Sequence, residues 1–511
     1  MAERKSVILV TVDCLRADHC GFMGYGRPTT QFLDGLARES FVFPSAIVAG
    51  VPTYYSLPAI LASRYPLSLG REVLGLAAGE ENLASTFKQD GYATACFGAG
   101  NPYLAAQFGY DFGFDTFCDF MSEGLDSDSD STSGSSISNW VGTLNRTLAG
   151  LSHKIPGLSA AYDELYFRYC QGRAASKPKS FDMLRRFPSA NVIVDRAQSW
   201  LASVGGRPFF LWLHFMDPHS PYYPTQQGLE FLGEGEFTSS RARYLNAYWN
   251  RDIGSKRLHR YNDEVVALYD AGIAWVDAEL SRLIEALRQS GRWTNCIFAL
   301  TADHGEEFLD HGGRYHAPAL HEELIHVPLL LRVPGVEVEK VEKKEISADP
   351  FSLLHLAPTL LGATGSPIPA EFQGHNYWPD IQQGTGWSHP AIAECVVGCT
   401  NPFRLEQRRG ARLLAVREPR YKLLLDFDTG AEELFDLEAD PQERSPLPRE
   451  SRKLDRRRLL EAALAHLRNS AQPRNSEAYL RTRLREIALR PTKSEGTSAH
   501  APFHADASPV G

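Results

Sequence analysis

Long apolar runs are missing from this 511-residue sequence, and no stretch approaches the roughly 20 apolar residues that a bilayer-spanning helix requires. The first apolar run, Ser6 to Val12, is short and leads straight into the charged "DCLRAD", with no small-residue cleavage site behind it. The expectation is a cytoplasmic protein. Paired cysteines are missing too: the eight cysteines are scattered with no CxxC pair, which argues against a zinc site or disulfide framework and for buried thiols. Positive charge is scarce in the body of the chain. Residues 1–448 sum to −15 and only 449–490 are basic, at +7, which argues against nucleic acid as the main partner. That basic segment, with "RKLDRRRLLEAALAHL", reads as a helix, either solvated or in peripheral contact with an anionic membrane.

What is present is ordinary globular material, 43% hydrophobic and 23% charged. Apolar runs such as "SVILVTV", "TACFGA", "PFFLWLHF", "NCIFALTA" and "HVPLLLRV" alternate with helical patterns. Such alternation predicts an α/β body, a mostly parallel central sheet with helices on both faces. In "YDAGIAWVDAELSRLIEALRQSG" the residues Ile273, Val276, Leu280, Leu283 and Ile284 fall on one helical stripe. The body extends over residues 1–385, interrupted at about 120–190 by an insertion whose Ser/Asp-rich stretch, 122–138, cannot bury enough surface to order itself. Short strands separated by turn residues then predict a small antiparallel subdomain over 386–448. The basic helical extension covers 449–490, and 491–511 reads as a disordered tail.

In an open α/β sheet, ligands gather at the carboxyl ends of strands. Asp13 ends the first run, Asp303 and His304 end "NCIFALTA", and His219 lies in "MDPHSPYYP" behind "PFFLWLHF". Two carboxylates and an imidazole converging there suit one divalent cation. Singly, each has an ordinary alternative, the aspartates as helix caps and the histidine as a hydrogen-bonded surface group. Five of the sixteen histidines (304, 311, 316, 321 and 326) share one glycine-flanked stretch. Such a cluster suits metal binding, proton donation or anion binding, with His321 and His326 expected to be structural.

The ordered set "VTVDCLRAD", "SRYP", "GYATACFG", "FGFDTF", "DPHSPY", "YDAGIAWVD", "TADHGEE", "HVPLLLR", "APTLL" and "YKLLLDFDTGAEELFDLEADPQE" resembles the sulfatase family of the alkaline phosphatase superfamily, over roughly residues 6–445. Sulfatases carry a cysteine, matured to formylglycine, about eleven positions before the arginine of a "GRYP"-like end. Here that position is Thr53, and no cysteine lies between Cys20 and Cys96. A rival register at Ser56 lacks the arginine of the maturation motif, because residue 60 is isoleucine. No formylglycine is expected.

The resemblance implies a metal held by Asp13, Asp303, His304 and Thr53, with Thr53 the nucleophile of a covalent intermediate. Calcium or manganese comes first and magnesium or zinc after them, since an oxygen shell favours calcium or magnesium and the imidazole tilts towards manganese or zinc. His219 and His316 are expected to protonate the leaving oxygen, and Asn101, His219, His316 and His311 to bind substrate. Arg64 is expected to be structural. Three departures stand out: Cys14 replaces a second acidic residue, Ala99 and Asn101 replace a lysine and a histidine, and His316 stands where phosphonate-type relatives have lysine.

Loss of fixed positive charge favours phosphodiester or phosphonate esters, with sulfate esters close behind. Water as acceptor gives a hydrolase, whereas an alcohol gives a transferase resembling phosphoglycerol transferases. The substrate is expected to be a small-molecule, glycan or lipid head-group ester, with Tyr162, Tyr166, Arg168 and Tyr169 of the insertion as candidate walls. Two other readings are a catalytically degenerate glycan- or lipid-binding relative and a two-metal phosphatase using Asp18, His311 and Glu306 as further ligands.

Overall fold

The computed structural model describes residues 4–71, 73–121, 180–251, 255–336 and 349–470. The Ser/Asp-rich stretch, the aromatic residues proposed for the insertion, the end of the basic segment and the tail lie outside these residues.

The central sheet has seven strands: β1 (Ser6–Val12), β2 (Phe41–Val42), β3 (Ala93–Gly98), β4 (Thr116–Cys118), β5 (Phe209–Phe215), β6 (Cys296–Ala302) and β7 (Leu329–Arg332). Their spatial order is β2-β7-β6-β1-β5-β3-β4. Strands β6, β1, β5, β3 and β4 are mutually parallel, while β7 runs antiparallel to β6 and to β2. The near-continuous apolar sequence of the central strands follows from burial on both faces: every residue of β3, β5 and β6 is buried.

Two groups of helices pack with the sheet. One contains α1 (Gln31–Ala37), α3 (Ala190–Ser203) and α4 (Asn262–Gln289); the other contains α2 (Thr53–Ala62) and the helix Leu356–Thr364. The expected stripe on α4 is buried, and the helix ends at Ser290 with Gly291 in the left-handed region behind it, as a helix stop requires. Helix α2 is buried along its whole length, so it has no solvent-exposed face.

The C-terminal sheet is antiparallel, in the order β8 (Ala391–Val396), β9 (Arg412–Arg417), β10 (Tyr421–Asp426) and β11 (Glu432–Asp436). It docks on the body through Glu394, whose backbone N–H donates to the Ala49 carbonyl and whose Oε1 accepts from Leu67 N at 2.9 Å. Helix α5 (Lys453–Ser470), the described part of the basic segment, lays Leu459 and Ala463 on this sheet. The apolar side of α5 is therefore occupied within the protein. Among the described residues no helix is long and apolar enough to cross a membrane, and the described cysteines are free thiols.

Candidate active site and metal centre

Four strand ends and one helix start converge on a single cleft. Asp13 follows β1, Asn101 follows β3, His219 follows β5, Asp303 and His304 follow β6, and Thr53 is the first residue of α2. Parallel pairing brings these ends level, because β1 is in register with both β5 and β6 up to Val12. The Asp13 N–H then donates to the Phe215 carbonyl at 2.8 Å, fixing the turn from which its carboxylate projects.

Asp13, Asp303 and His304 are fully buried, and Thr53 nearly so. The His304 Nδ1–H donates to the Gly305 carbonyl at 2.8 Å, which leaves Nε2 with its lone pair facing inward. That nitrogen is 3.2 Å from Thr53 Oγ1, 3.5 Å from Asp303 Oδ2 and 3.8 Å from Asp13 Oδ1. Asp303 Oδ1 accepts from the backbone N–H groups of Cys14 and His304, whereas Asp303 Oδ2 has no hydrogen-bond partner. Burial and the neighbouring Asp13 charge push the Asp303 carboxyl up. Buried like charges with an orphaned oxygen and an inward imidazole lone pair form a cage that fits a divalent cation.

Around this cage lie the other expected residues. Asn101 Nδ2 donates to Asp13 Oδ2 at 3.0 Å, while its Oδ1 accepts from Tyr103 N. His316 places Nδ1 2.8 Å from Glu306 Oε2 and 3.3 Å from the Cys14 sulfur. Burial opposes its protonation, but Glu306 overrides this and raises the imidazole to about 9. His219 donates Nδ1–H to the Ser220 carbonyl, packs edge-on against Phe187 and faces His316 with ring centroids 4.9 Å apart. Burial lowers His219, so the pair combines one neutral and one charged imidazole. The cleft holds about 400 Å³ and is walled by Tyr54, Tyr103, Phe187 and Tyr315 as well as Thr53, His219 and His316.

His311, expected to bind substrate, is not among the residues that line the cleft. Its Nδ1 is 2.7 Å from Glu323 Oε1, its Nε2 is 3.2 Å from the Glu443 carbonyl, and its ring stacks on His321 at 3.7 Å. Nε2 thus reaches the C-terminal unit, while Nδ1 stays within the body at Glu323. The further ligands of the two-metal reading are likewise committed elsewhere: Asp18 to Arg16, and Glu306 to His316 and the Tyr222 hydroxyl. Ser56 turns its hydroxyl to the Thr53 carbonyl at 3.2 Å, one turn along α2. Arg64 is structural, paired with Glu80 and donating to the Gly75 carbonyl.

Sequence reasoning missed His214. It lies inside the apolar strand β5, fully buried, with Nε2 3.4 Å from Asp13 Oδ2. The available signal was the single ionisable side chain in "FFLWLHF". Tyr54 and Tyr103, aromatic walls of the cleft, were not singled out in the sequence either.

A sulfatase family profile matches residues 5–366, and a profile for the C-terminal part of N-sulphoglucosamine sulphohydrolase matches residues 310–470. The chain belongs to the sulfatase family. Arylsulfatase K of Bos taurus is 27% identical over 49% of this chain and 50% of its own length. The chain thus spans about half the length of the first curated relatives that it matches. An arylsulfatase of Clostridium perfringens is 24% identical over 86% of this chain and 89% of its own. Among solved structures, the phosphonate monoester hydrolase of Agrobacterium radiobacter superposes with a TM-score of 0.62 at 18% identity, covering 92% of this chain and 96% of that one. That likeness supports the fold read from the strand order.

Proposed function

We propose that the protein is a metal-dependent ester hydrolase that uses Thr53 as its nucleophile on monoanionic phosphate-diester or phosphonate esters. The observation that carries this reading is the placement of Thr53 Oγ1 within 3.2 Å of His304 Nε2, at the mouth of the acidic cage and at the start of α2. The orphaned Asp303 Oδ2 and the inward lone pair of His304 support one divalent ion held by Asp13, Asp303, His304 and Thr53. When bound, such an ion acidifies a hydroxyl and neutralises charge building on the reacting group.

The chain's own residues supply the rest. Thr53 Oγ1 releases its proton to solvent, bonds to phosphorus as the bond to the leaving oxygen breaks, and takes a proton back from His219 when its own ester is cleaved; the start of α2 favours the anion that develops there. Asn101 holds the Asp13 carboxylate through its Nδ2–H and caps the turn at Tyr103, so the two strand ends move as one. His316, kept protonated by Glu306, turns its remaining N–H towards the leaving oxygen and donates the proton. His219, neutral and tied at Nδ1, accepts a proton from the water that cleaves the Thr53 ester. An alcohol in place of that water would make the same site a transferase.

Threonine also supports the absence of formylglycine, because oxidation of its secondary alcohol cannot give an aldehyde. The aromatic walls suit an aryl, glycan or lipid head-group portion of a substrate. The arylsulfatase relatives favour a second reading, sulfate ester hydrolysis by the same residues. A nitrophenyl panel of sulfate, phosphate monoester, phosphate diester and phosphonate, assayed with metal-loaded wild type and Thr53→Ala, tests both. Diester or phosphonate turnover should fall by about a thousandfold or more in Thr53→Ala. Turnover that survives the substitution removes Thr53 as nucleophile and points to Ser56.

A further inference from the structure

The acidic cage contains one donor that the four-ligand description leaves unused. His214 stands one residue before the carboxyl end of β5, opposite Thr11 of β1 and Gly98 of β3, and is fully buried. An ionisable group in a strand covered on both faces needs a partner for each nitrogen. Nδ1 has one: it lies 2.8 Å from Thr11 Oγ1. That hydroxyl also accepts the indole N–H of Trp212 at 2.9 Å and can pass its own proton to the Leu213 carbonyl at 3.5 Å. With that hydroxyl donating to the Leu213 carbonyl, Nδ1 carries the proton and Nε2 presents a lone pair to the cage. Nε2 makes no hydrogen bond, although it lies 3.4 Å from Asp13 Oδ2.

Asp13, His214 and Asp303 each offer one ligand atom within 4.8 Å of the others. Two of the atoms in this group, His214 Nε2 and Asp303 Oδ2, are buried without partners. An unmet buried polar atom is costly, so two within one such group call for a shared partner. Ligand atoms on one ion, at bond lengths of about 2.0–2.3 Å, sit about 3–4 Å apart when adjacent. The separations of 3.2–3.8 Å among Thr53, His304, Asp303, Asp13 and His214 fall in that range.

Resting on the one-ion reading above, we infer that His214 Nε2 is a further ligand of the divalent cation, entering the shell from β5 where residue 14 has no carboxylate to give. The thiol of Cys14 does not take that place, because its S–H is directed to Asp13 Oδ1 at 3.0 Å. Thr11 is a positioning residue that sets the His214 tautomer. With two imidazoles and two carboxylates the shell favours manganese or zinc over calcium.

The test is X-ray absorption at the metal edge of the full chain, stripped with chelator and reloaded with one equivalent of Mn²⁺, together with a calorimetric Kd for Mn²⁺. Wild type should show two imidazoles and no sulfur around the ion. His214→Gln should show one imidazole and bind at least ten- to a hundredfold more weakly, with an unchanged metal-free melting temperature. Thr11→Val should keep two imidazoles but loosen binding by about tenfold. A wild-type shell with one imidazole, a sulfur in the shell, or an unchanged Kd in His214→Gln overturns the inference while leaving the one-ion reading standing. No bound ion at all overturns both. If neither variant folds, the wild-type spectrum decides.

Discussion

Lys422 is fully buried on β10 of the C-terminal sheet, and its ammonium reaches back to the body of the protein. Nζ lies 3.1 Å from Glu322 Oε1 and 2.8 Å from Glu443 Oε1. Glu443 in turn accepts the Glu322 N–H at 2.7 Å and, through its carbonyl, His311 Nε2. One ammonium therefore ties the loop that carries Tyr315 and His316 to the C-terminal unit. Lys422→Met keeps most of the side-chain volume and removes the charge, leaving two buried carboxylates with Arg417, 3.6 Å from Glu322, as the nearest remaining cation. Breaking one side of a buried pair costs about 3–5 kcal/mol. A second route gives the same size. Burial would raise Glu322, but Lys422 and Arg417 lower it from the ordinary 4.5 to about 2, a stabilisation of about 3 kcal/mol. Because the folded value is depressed, this contribution is present above pH 4.5 and is lost as pH falls through about 2. Urea unfolding followed by circular dichroism should show Lys422→Met less stable by about 3–5 kcal/mol at pH 7. Between pH 5 and 2 the variant should lose less further stability than wild type. A variant that unfolds at the wild-type urea midpoint, or keeps the wild-type acid slope, would refute the assignment of this stability to the ammonium.

Two further perturbations follow from buried backbone and imidazole contacts. His355 accepts the His375 N–H at Nδ1, 2.9 Å away, and burial with the neighbouring His375 and His389 drives it from 6.5 to about 3. For a base held low, stability is full above pH 6.5 and is lost as pH falls towards 3, about 2 kcal/mol by pH 5. The melting temperature of His355→Gln should therefore fall less than that of wild type between pH 7 and 5, and coincident slopes would remove His355 as the source. At Gly305 a Cβ would meet the Glu323 carbonyl oxygen at 1.9 Å, backbone against backbone, so Gly305→Ala has to move the segment next to His304. The expected loss is about 1–3 kcal/mol in thermal unfolding together with weaker Mn²⁺ binding, and wild-type values for both would contradict it.

The parts of the molecule legible in the sequence are those that local pattern determines. Apolar runs buried on both faces announce the central strands, and the rule that sites form at strand ends singles out Asp13, Asp303, His304 and His219. Direction was harder: "HVPLLLRV" reads like a parallel core strand because it is equally buried, yet β7 runs antiparallel. His214 was hidden by the same property, since one imidazole in a seven-residue apolar strand barely disturbs the pattern. His311 shows the opposite limit. Its glycine-flanked loop looked functional, but what occupies its nitrogens is Glu323 and a carbonyl of Glu443, more than a hundred residues further along the chain. Contacts at such separation leave no periodic trace.

Charge within the cleft bears on which ester it accepts. A divalent cation would be balanced by Asp13 and Asp303, and protonated His316 is balanced by Glu306, so the centre carries no net charge before substrate enters. Arg314 lines the cleft, but its guanidinium is engaged by the carbonyls of Trp249 and Arg251. The lysine and histidine expected from the family pattern are Ala99 and Asn101. A sulfate ester, a phosphate diester and a phosphonate monoester each bring one negative charge, whereas a phosphate monoester brings two. At an effective dielectric of about 20, a second uncompensated charge some 4 Å from the buried carboxylates costs about 4 kcal/mol, close to a thousandfold in kcat/KM. The phosphate monoester should therefore rank last in the nitrophenyl panel. Restoring a cation with Ala99→Lys should narrow that gap by improving the dianion more than the monoanions. Preferred turnover of the monoester by wild type would mean that the cleft holds positive charge beyond one ion and His316, and the one-metal centre would have to give way to a two-metal one.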